Sequence, residues 1–268
     1  MSDLDSEYPK AESARPFLPE EERKFLKLFN EQKFRPRTAI LTVWFKYPYN
    51  MFFQPIPAKD NITFTNKEGK KETGSKIRFR NGFCSDVLTS VDIQEIVKAG
   101  GDIIRILDGI VYEENFKTPP YRDYILILRD LRNKYKREEI EEIEITAEDQ
   151  STKSTGLTPS HLGSFVLSHS KKIMNNFIHV INGFYKPEIF YTDTDSLYIS
   201  SRNWDELNRA GLVSENEYCK GDKGDIIFGL YLAPKVKYNI ILTSDGVLKE
   251  KETFKGYSNN KTRLYSVG

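Results

Sequence analysis

Two aspartates, Asp193 and Asp195, stand two positions apart in a run of aromatic and β-branched residues, FYTDTDSLYIS at 190–200. This composition favours a strand or a hairpin. Alternate residues of a strand face the same way, so both carboxylates would point to one side, next to a buried surface. Two like charges at that spacing repel each other unless a cation lies between them. The run therefore predicts a site for Mg²⁺ or Mn²⁺ of the kind that phosphoryl and nucleotidyl transfer use.

The plainest alternative for this run is a polar turn with solvated carboxylates, because aspartate is common in turns. Its flanks favour the metal site over the turn. Thr192 and Thr194 fill the positions where a turn would carry glycine or asparagine, and an aromatic and aliphatic segment follows Ser196 directly.

Length and charge narrow the class of protein. The chain has 268 residues, enough for one large domain or two small ones, and its formal net charge of +1 gives no overall field that would attract nucleic acid. The sequence contains no apolar run of membrane-spanning length, and its acidic, polar beginning does not resemble a secretory signal. Two cysteines are too few for a disulfide framework. We expect a soluble intracellular protein without a membrane partner.

Helices and strands are interspersed along the chain without a regular βαβ rhythm. The fold class expected is therefore α+β, an antiparallel sheet with helices packed against it. Residues 1–18 are expected to be disordered or loosely held. The sequence pattern predicts a short helix that begins at Pro19, and four more helices at 91–99 (capped by Ser90), 119–145, 159–181 and 203–212. It also predicts strands at 39–51 and 102–113, one or two strands at 225–242, and a hairpin at 61–81.

The run YTDTDS at 191–196 resembles the third conserved palm motif of family B DNA polymerases, whose usual form is Tyr-Gly-Asp-Thr-Asp-Ser. Two flanking segments resemble the protein-primed branch of that family, found in linear plasmids and some viruses. TPSHLGSFVLS at 158–168 is similar to the helix that precedes the motif there, and LAPKVKY at 232–238 is similar to the Lys-Tyr element that follows it. The resemblance runs from about residue 40 to the end and is strongest over 158–257.

This resemblance implies a polymerase palm made of an antiparallel sheet and packed helices, with a strand-displacement insertion and part of the thumb. The division it implies is an N-terminal lead at 1–38, a first palm segment at 39–81, an insertion-like subdomain at 82–136, an acidic helix end and linker at 137–157 where the fingers are expected, the palm with its Asp-Thr-Asp hairpin at 158–230, and a palm–thumb junction at 231–268.

The resemblance also implies roles for single residues. Asp193 and Asp195 would be catalytic ligands of Mg²⁺ or Mn²⁺, in a hairpin shaped by Tyr191, Thr194 and Ser196. Primer–template DNA would contact Lys235, Lys237 and Tyr238. The other partners would be deoxynucleoside triphosphates and a terminal protein primer, in a mitochondrion or nucleus.

Three departures from the family pattern weigh against full activity. Reading back from Tyr47-Pro48, the place of the first motif's metal-binding aspartate is taken by Thr42, whose hydroxyl is neutral. The fingers run with its triphosphate-binding lysine is missing, and so is the exonuclease domain expected upstream. We therefore expect an incomplete or degenerate polymerase with weak or absent nucleotide incorporation.

Two rival interpretations remain. One is a catalytically inactive nucleic-acid-binding remnant of such a polymerase, which Thr42 and the missing lysine favour. The other is an unrelated metal-dependent phosphohydrolase, which would share the carboxylate pair but not the flanking segments. In the palm interpretation, residues 40–48 should form the strand next to the Asp-Thr-Asp hairpin.

Overall fold

The computed structural model describes residues 4–31, 38–65, 68–137, 159–193, 196–213, 224–233 and 235–254. Within these residues the protein is a mixture of helices and antiparallel sheets, which confirms the α+β composition expected from the sequence. The chain divides into two compact units, Met1–Asn176 and Phe177–Gly268. Each unit is described separately below.

A four-stranded antiparallel sheet forms the centre of the first unit, in the order β2-β7-β3-β6. Its strands are β2 (Ala14–Pro16), β3 (Ala39–Tyr47), β6 (Gly82–Thr89) and β7 (Asp102–Tyr112). The side chains of β3 alternate strictly, and its odd-numbered positions from 39 to 47 are fully buried. One face of the sheet therefore forms the core, as the apolar, β-branched sequence of this segment predicts.

Two helices cover this core face. Helix α1 (Glu22–Asn30) begins after a single 3₁₀ turn at Pro19–Glu21 and packs on β7 through buried Phe25 and Phe29. Helix α2 (Ser90–Lys98) packs on β3, β6 and β7. Both helices were predicted, but the predicted cap of α2 was one residue too late. The Thr89 side chain accepts the hydrogen bond from the Asp92 backbone amide, because Thr89 is the last residue with an extended backbone.

Residues 4–18 are not loosely held, so the expectation for this part of the chain was wrong. Strand β1 (Tyr8–Pro9) pairs with β8 (Asn115–Phe116), and β2 pairs with β7. The Tyr8 side chain is completely buried and makes an edge contact with the ring of Tyr121, with 5.2 Å between centroids. The apolar contacts of Tyr8 and Phe17 hold a segment whose overall polarity had suggested otherwise.

The boundary predicted between residues 81 and 82 does not separate two bodies. Strands β6 and β7, which lie in the segment interpreted as an insertion, pair with the two edges of β3. Strand β6 itself was not predicted, since Gly82 and the mixed polarity of 83–87 weaken its alternating pattern.

The remaining elements of the first unit follow the predictions closely. Strands β4 (Ala58–Thr65) and β5 (Lys71–Arg78) form the predicted hairpin. Helix α3 (Arg122–Arg137) occupies the first part of the predicted 119–145 helix, and residues 138–158 lie outside the described part of the chain. Helix α4 spans Ser160–Val180, as predicted, and its residues up to Asn176 belong to this unit. Its Ser168 hydroxyl donates to the Asp92 carboxylate at 2.8 Å, and the Lys171 ammonium lies 3.1 Å from the same carboxylate.

The second unit contains a hairpin, a short helix and a three-stranded sheet. Strands β9 (Ile189–Asp193) and β10 (Ser196–Ile199) form the hairpin, and α5 (Ser201–Arg209) follows. The antiparallel sheet has the order β11-β12-β13, with β11 at Asp225–Ala233, β12 at Val236–Leu242 and β13 at Leu248–Phe254. The predicted strand region at 225–242 is confirmed as two strands, whereas β13, rich in lysine and glutamate, was not predicted.

No described helix is both long enough and apolar enough to cross a membrane.

Candidate carboxylate hairpin

Asp193, the first aspartate of the Asp-Thr-Asp run, lies in an antiparallel hairpin. Asp193 is the last residue of β9 and pairs with Ser196, the first residue of β10; Tyr191 pairs with Tyr198. Thr194 and Asp195 connect the two strands in sequence and lie outside the described residues. Because alternate residues share a face, Tyr191 and Asp193 lie on one side of β9, together with Ser196 and Tyr198 of β10.

Polar contacts hold both outer ends of this hairpin. Ser200, directly after β10, caps α5 by accepting a hydrogen bond from the backbone amide of Asn203. The Asn203 side chain is buried and donates to the Glu188 carboxylate at 2.8 Å, just before β9 begins. The start and the end of the hairpin are thereby joined through one buried amide, which fixes the strands that carry Asp193.

Three tyrosines pack together on the hairpin face that carries Asp193. The Tyr191 ring is stacked on the Tyr231 ring of β11, with 4.9 Å between centroids and 9° between planes. Tyr198 makes edge contacts with both rings at 5.5 Å. Burial, with smaller contributions from Tyr198 and Tyr191, raises the pKa of Tyr231. These ring contacts are the basis in packing for the prediction that Tyr191 shapes the hairpin.

Two lysines predicted to contact DNA lie beside this tyrosine cluster. The Lys237 ammonium donates a hydrogen bond to the Tyr198 hydroxyl and lies 4.5 Å from the centroid of the Tyr198 ring and 5.5 Å from that of Tyr191. These contacts hold the cation against aromatic faces. The Lys235 backbone amide donates to the Tyr191 hydroxyl at 2.9 Å, while its side chain is exposed. An ammonium has three N–H donors, so Lys237 retains donors for a phosphate oxygen.

Tyr238, the third residue predicted to contact DNA, does not converge with the two lysines. Consecutive residues of a strand face opposite ways, so Tyr238 lies on the other face of β12 from Lys237. There it pairs with Glu252 in the ladder. Desolvation, followed by the charge and hydrogen bond of Glu250, raises the pKa of the Tyr238 hydroxyl. A face with two glutamates repels phosphate, so the structure separates Tyr238 from the lysines electrostatically as well.

A buried amide near the hairpin was missed by the sequence analysis. Asn239 lies two residues after Lys237 on the same face of β12, its side chain is fully buried, and neither amide atom has a hydrogen-bond partner. An unpaired buried amide costs stability and is uncommon. The only sequence signal was a polar residue in the apolar run VKYNIIL at 236–242.

The first-motif residues have structural roles in the first unit. The Thr42 hydroxyl donates to the carboxylate of Asp108, its direct partner on β7. Tyr47 is fully buried and donates to the Ile56 carbonyl at 3.0 Å, and burial raises its pKa. Pro48 follows the end of β3. Thr42 is thus a hydroxyl already engaged with a carboxylate and is not itself a strong metal ligand.

The expectation that residues 40–48 form the strand next to the Asp-Thr-Asp hairpin is wrong. Both edges of β3 are hydrogen-bonded, to β6 on one side and to β7 on the other, so no edge remains for a third strand. Among the described residues, β9 pairs only with β10.

The carboxylate of Asp193 suits a hard divalent cation, since carboxylate oxygens are the ligands that Mg²⁺ prefers. Within the described residues there is no group of three or more His, Cys, Asp or Glu side chains that could hold a metal ion, and Asp195 lies outside that search. The predicted ligand set is therefore an aspartate pair, without the additional carboxylate that the first motif would supply.

No protein-family model, curated protein or solved structure matches this chain.

Proposed function

We propose that this chain is the palm part of a template-directed DNA polymerase of the protein-primed family B type, in an incomplete or degenerate form. The observation that carries the proposal is the pairing of β9 with β10, in which Tyr191, Thr192 and Asp193 end the first strand and Ser196 begins the second. The reaction is the addition of a deoxynucleotide to a primer 3′-hydroxyl, with release of pyrophosphate.

In this proposal Asp193 and Asp195 hold Mg²⁺ or Mn²⁺, both carboxylates being ionised. The bound cation would lower the pKa of the primer hydroxyl and offset the charge that develops on the phosphate. The tyrosine cluster, together with the Glu188–Asn203 contact, keeps the hairpin strands in place. Lys235 and Lys237 contact the phosphates of the primer strand, which positions DNA without reading its sequence.

A second candidate function is a nucleic-acid-binding protein that retains this surface but not the chemistry. The specific observation in its favour is the neutral Thr42, bonded to Asp108, at the position where the first motif would supply a carboxylate. Such a protein would bind primer–template DNA, but it would bind triphosphates poorly or not productively, and it would not need the aspartate pair.

Primer extension by the full chain separates the two functions. The reaction is run with Mg²⁺ and with Mn²⁺, which tolerates imperfect ligand sets better, and Asp195→Asn is the matched variant of nearly the same size. We expect slow incorporation that the variant abolishes. Incorporation that is equal in both proteins would contradict a role for the pair. DNA binding without any incorporation in either protein would favour the second function.

Asp193→Asn provides an independent check, since the strand position of Asp193 is known and that of Asp195 is not described. Asparagine keeps the size and hydrogen-bonding reach of the side chain but removes its charge. Loss of incorporation with unchanged DNA affinity is expected if the carboxylate acts on the metal. A parallel loss of DNA affinity would indicate that the substitution disturbs the hairpin instead.

A further inference from the structure

Helix α4 meets α2 with a stripe of polar side chains, within the part of α4 that belongs to the first unit. The members of the stripe follow the i, i+3, i+4, i+7, i+8 spacing of one helix face, and they are Ser168, Lys171, Lys172, Asn175 and Asn176. A helix face that packs against a neighbouring element is ordinarily apolar. The contact between these two helices is therefore of an unusual, polar kind.

The side of α2 that meets this stripe is charged. Asp92, Glu95 and Lys98 follow one another at intervals of three residues along one side of the helix. The apolar residues on its other side, which packs on the sheet, are buried, and they are Ile93, Ile96 and Val97. The charged side of α2 and the polar stripe of α4 are here together termed the α2–α4 contact.

Hydrogen bonds and an ion pair join the two helices. Asp92 accepts a hydrogen bond from Ser168 at 2.8 Å and lies 3.1 Å from the Lys171 ammonium. The Lys98 ammonium donates to the Asn176 side chain at 2.8 Å. Each such interaction contributes little net stability, because water can replace it. A contact held in this way is sensitive to a single added charge.

Glu95 lies in the middle of the α2–α4 contact, one turn from Asp92 and one turn from Lys98. Its side chain is 3% exposed, and its Oε2 atom has no hydrogen-bond partner. Burial raises the pKa of Glu95 and the charge of Asp92 adds to this effect, whereas Lys98, Asn175 and Lys172 act in the opposite direction. Two of these opposing groups belong to α4, so the charge of Glu95 and the position of α4 are coupled.

The described residues of the other elements that pack on α2 hold their titratable groups neutral or away from Glu95. Tyr47 of β3 and Cys84 of β6 are buried, and burial raises the pKa of each, so both stay neutral. Asp86 of β6 accepts a hydrogen bond from the backbone of β4. The charged side chains of α1 and β7 are exposed, apart from Glu22, which accepts from the backbone of β7.

We propose that the α2–α4 contact is pH-sensitive: the protonated carboxyl of Glu95 keeps α4 packed on α2, and ionisation of Glu95 loosens this part of α4. An ionised carboxylate requires water. Water reaches Glu95 from the α4 side, where Lys171 is 28% exposed, because the other side of α2 packs on the apolar core. Ionisation also places a second negative charge one turn from Asp92, which is unfavourable.

The proposal concerns the helix through which the chain passes from one unit to the other, since α4 continues into the second unit at Phe177. It does not depend on the proposed polymerase activity, because neither the aspartate pair nor a metal takes part in the α2–α4 contact.

Hydrogen–deuterium exchange of the full chain, measured by mass spectrometry at a series of pH values from about 5 to about 8, tests the proposal. The data are expressed as protection factors, which removes the intrinsic effect of pH on exchange. Helices owe most of their stability to packing, so a loosened α4 exchanges faster. We expect residues 164–176 to be less protected than β3 at every pH and to lose protection about tenfold or more as pH rises.

Three variants show whether Glu95 is responsible. Glu95→Gln cannot ionise and should abolish the fall in protection, whereas Glu20→Gln, at an exposed glutamate before α1, should leave it unchanged. Lys172→Met removes a cation that favours the ionised carboxylate, so the fall should move to higher pH. This shift also decides the question if Glu95→Gln does not fold.

Three results would overturn the proposal. The first is protection of residues 164–176 that does not change with pH in the wild type. The second is a fall as large in Glu95→Gln as in the wild type. The third is equal protection of residues 164–176 and β3 at every pH, which would mean that α4 opens only when the whole unit unfolds.

Discussion

At the scale of single residues, Glu95 on α2 is an unusual buried acidic side chain. The side chain is 3% exposed, and its Oε2 atom has no hydrogen-bond partner. Burial raises the pKa of Glu95, against the opposing influence of Lys98, Asn175 and Lys172. The folded state therefore favours the protonated carboxyl, and its stability falls as pH rises from the ordinary glutamate value of 4.5 through the raised pKa.

Replacing Glu95 with glutamine should remove this pH-dependent cost. We expect Glu95→Gln and wild type to differ little in free energy of unfolding below pH 4.5, and the variant to become more stable as pH rises, by on the order of 1 kcal/mol above the raised pKa. Urea denaturation at a series of pH values, followed through Trp44 in a Trp204→Phe background, measures the difference. A constant difference at all pH values would show that Glu95 does not titrate in this range.

Asn239 is likewise a polar side chain that is buried without hydrogen-bond partners, but it is neutral. Its amide is fully buried and unpaired in the middle of β12, beside the lysine proposed to contact DNA. Leucine has the same number and branching of side-chain heavy atoms and no polar atoms, so Asn239→Leu should stabilise the second unit by about 1 kcal/mol, the larger volume of leucine offsetting part of the gain. Denaturation followed through Trp204 in a Trp44→Phe background tests this. A loss of stability would show that the amide has a partner, such as ordered water.

At the scale of elements, the register of β3 and β7 depends on Gly109. This residue has φ +150°, and a Cβ atom there would lie 2.3 Å from the Ile40 carbonyl oxygen and 2.8 Å from the Leu41 Cα. Neither backbone atom can move without breaking the ladder. Gly109→Ala should therefore cost on the order of 3 kcal/mol.

The matched control for this substitution is Gly163→Ala in α4. An added Cβ there would meet nothing within 4 Å, and alanine favours a helix interior over glycine by roughly 1 kcal/mol. The two glycines should thus give shifts of opposite sign in the denaturation midpoint reported by Trp44. A shift of the same sign for both would mean that the β3–β7 approach is not as close as the structure indicates.

Sequence patterns predicted the elements whose local signals agree with their packing. Strand β3 has a strict alternation of buried positions, and α1 and α4 have apolar positions at helical spacing, so their existence followed from periodicity alone. Strands β6 and β13 were missed because cross-strand pairing, which no local pattern encodes, holds their polar residues in the ladder. Strands β1 and β2 were missed because their partners lie about 100 residues away.

The candidate site shows the same division between local and distant information. The Asp193 hairpin could be predicted because its signal lies within one short run. The packing of Tyr231 against Tyr191, and the contact of Lys237 with Tyr198, depend on the position of β11 and β12 relative to the hairpin. The pairing of β3 with β7 could not be predicted from the motif around Tyr47 either. Because of this pairing, Thr42, which stands at the sequence position expected for a metal-binding aspartate, is the hydrogen-bond partner of Asp108.

At the scale of the whole molecule, a net charge of +1 hides a strong local separation of charge. The sheet of the second unit carries lysines on the side of Lys237 and acidic residues on the side of Tyr238. Helix α3 is basic, with a net charge of +4. Because the total charge provides no long-range attraction, any binding to DNA must come from such local surfaces, and its dependence on salt should be shallow.

The salt dependence of DNA binding makes this argument quantitative. Each phosphate contact contributes about −0.9 to the slope of log K against log salt concentration, so contacts by Lys235 and Lys237 alone predict a slope of about −1.8 for duplex DNA.

Lys235→Ala should make the slope shallower by about 0.9, because its exposed side chain has no packing role that the substitution would disturb. Lys71→Ala, an exposed lysine on the β4–β5 hairpin, should leave the slope unchanged. Fluorescence anisotropy between 25 and about 200 mM NaCl measures all three proteins. A slope as steep in Lys235→Ala as in wild type would place the DNA away from the carboxylate hairpin.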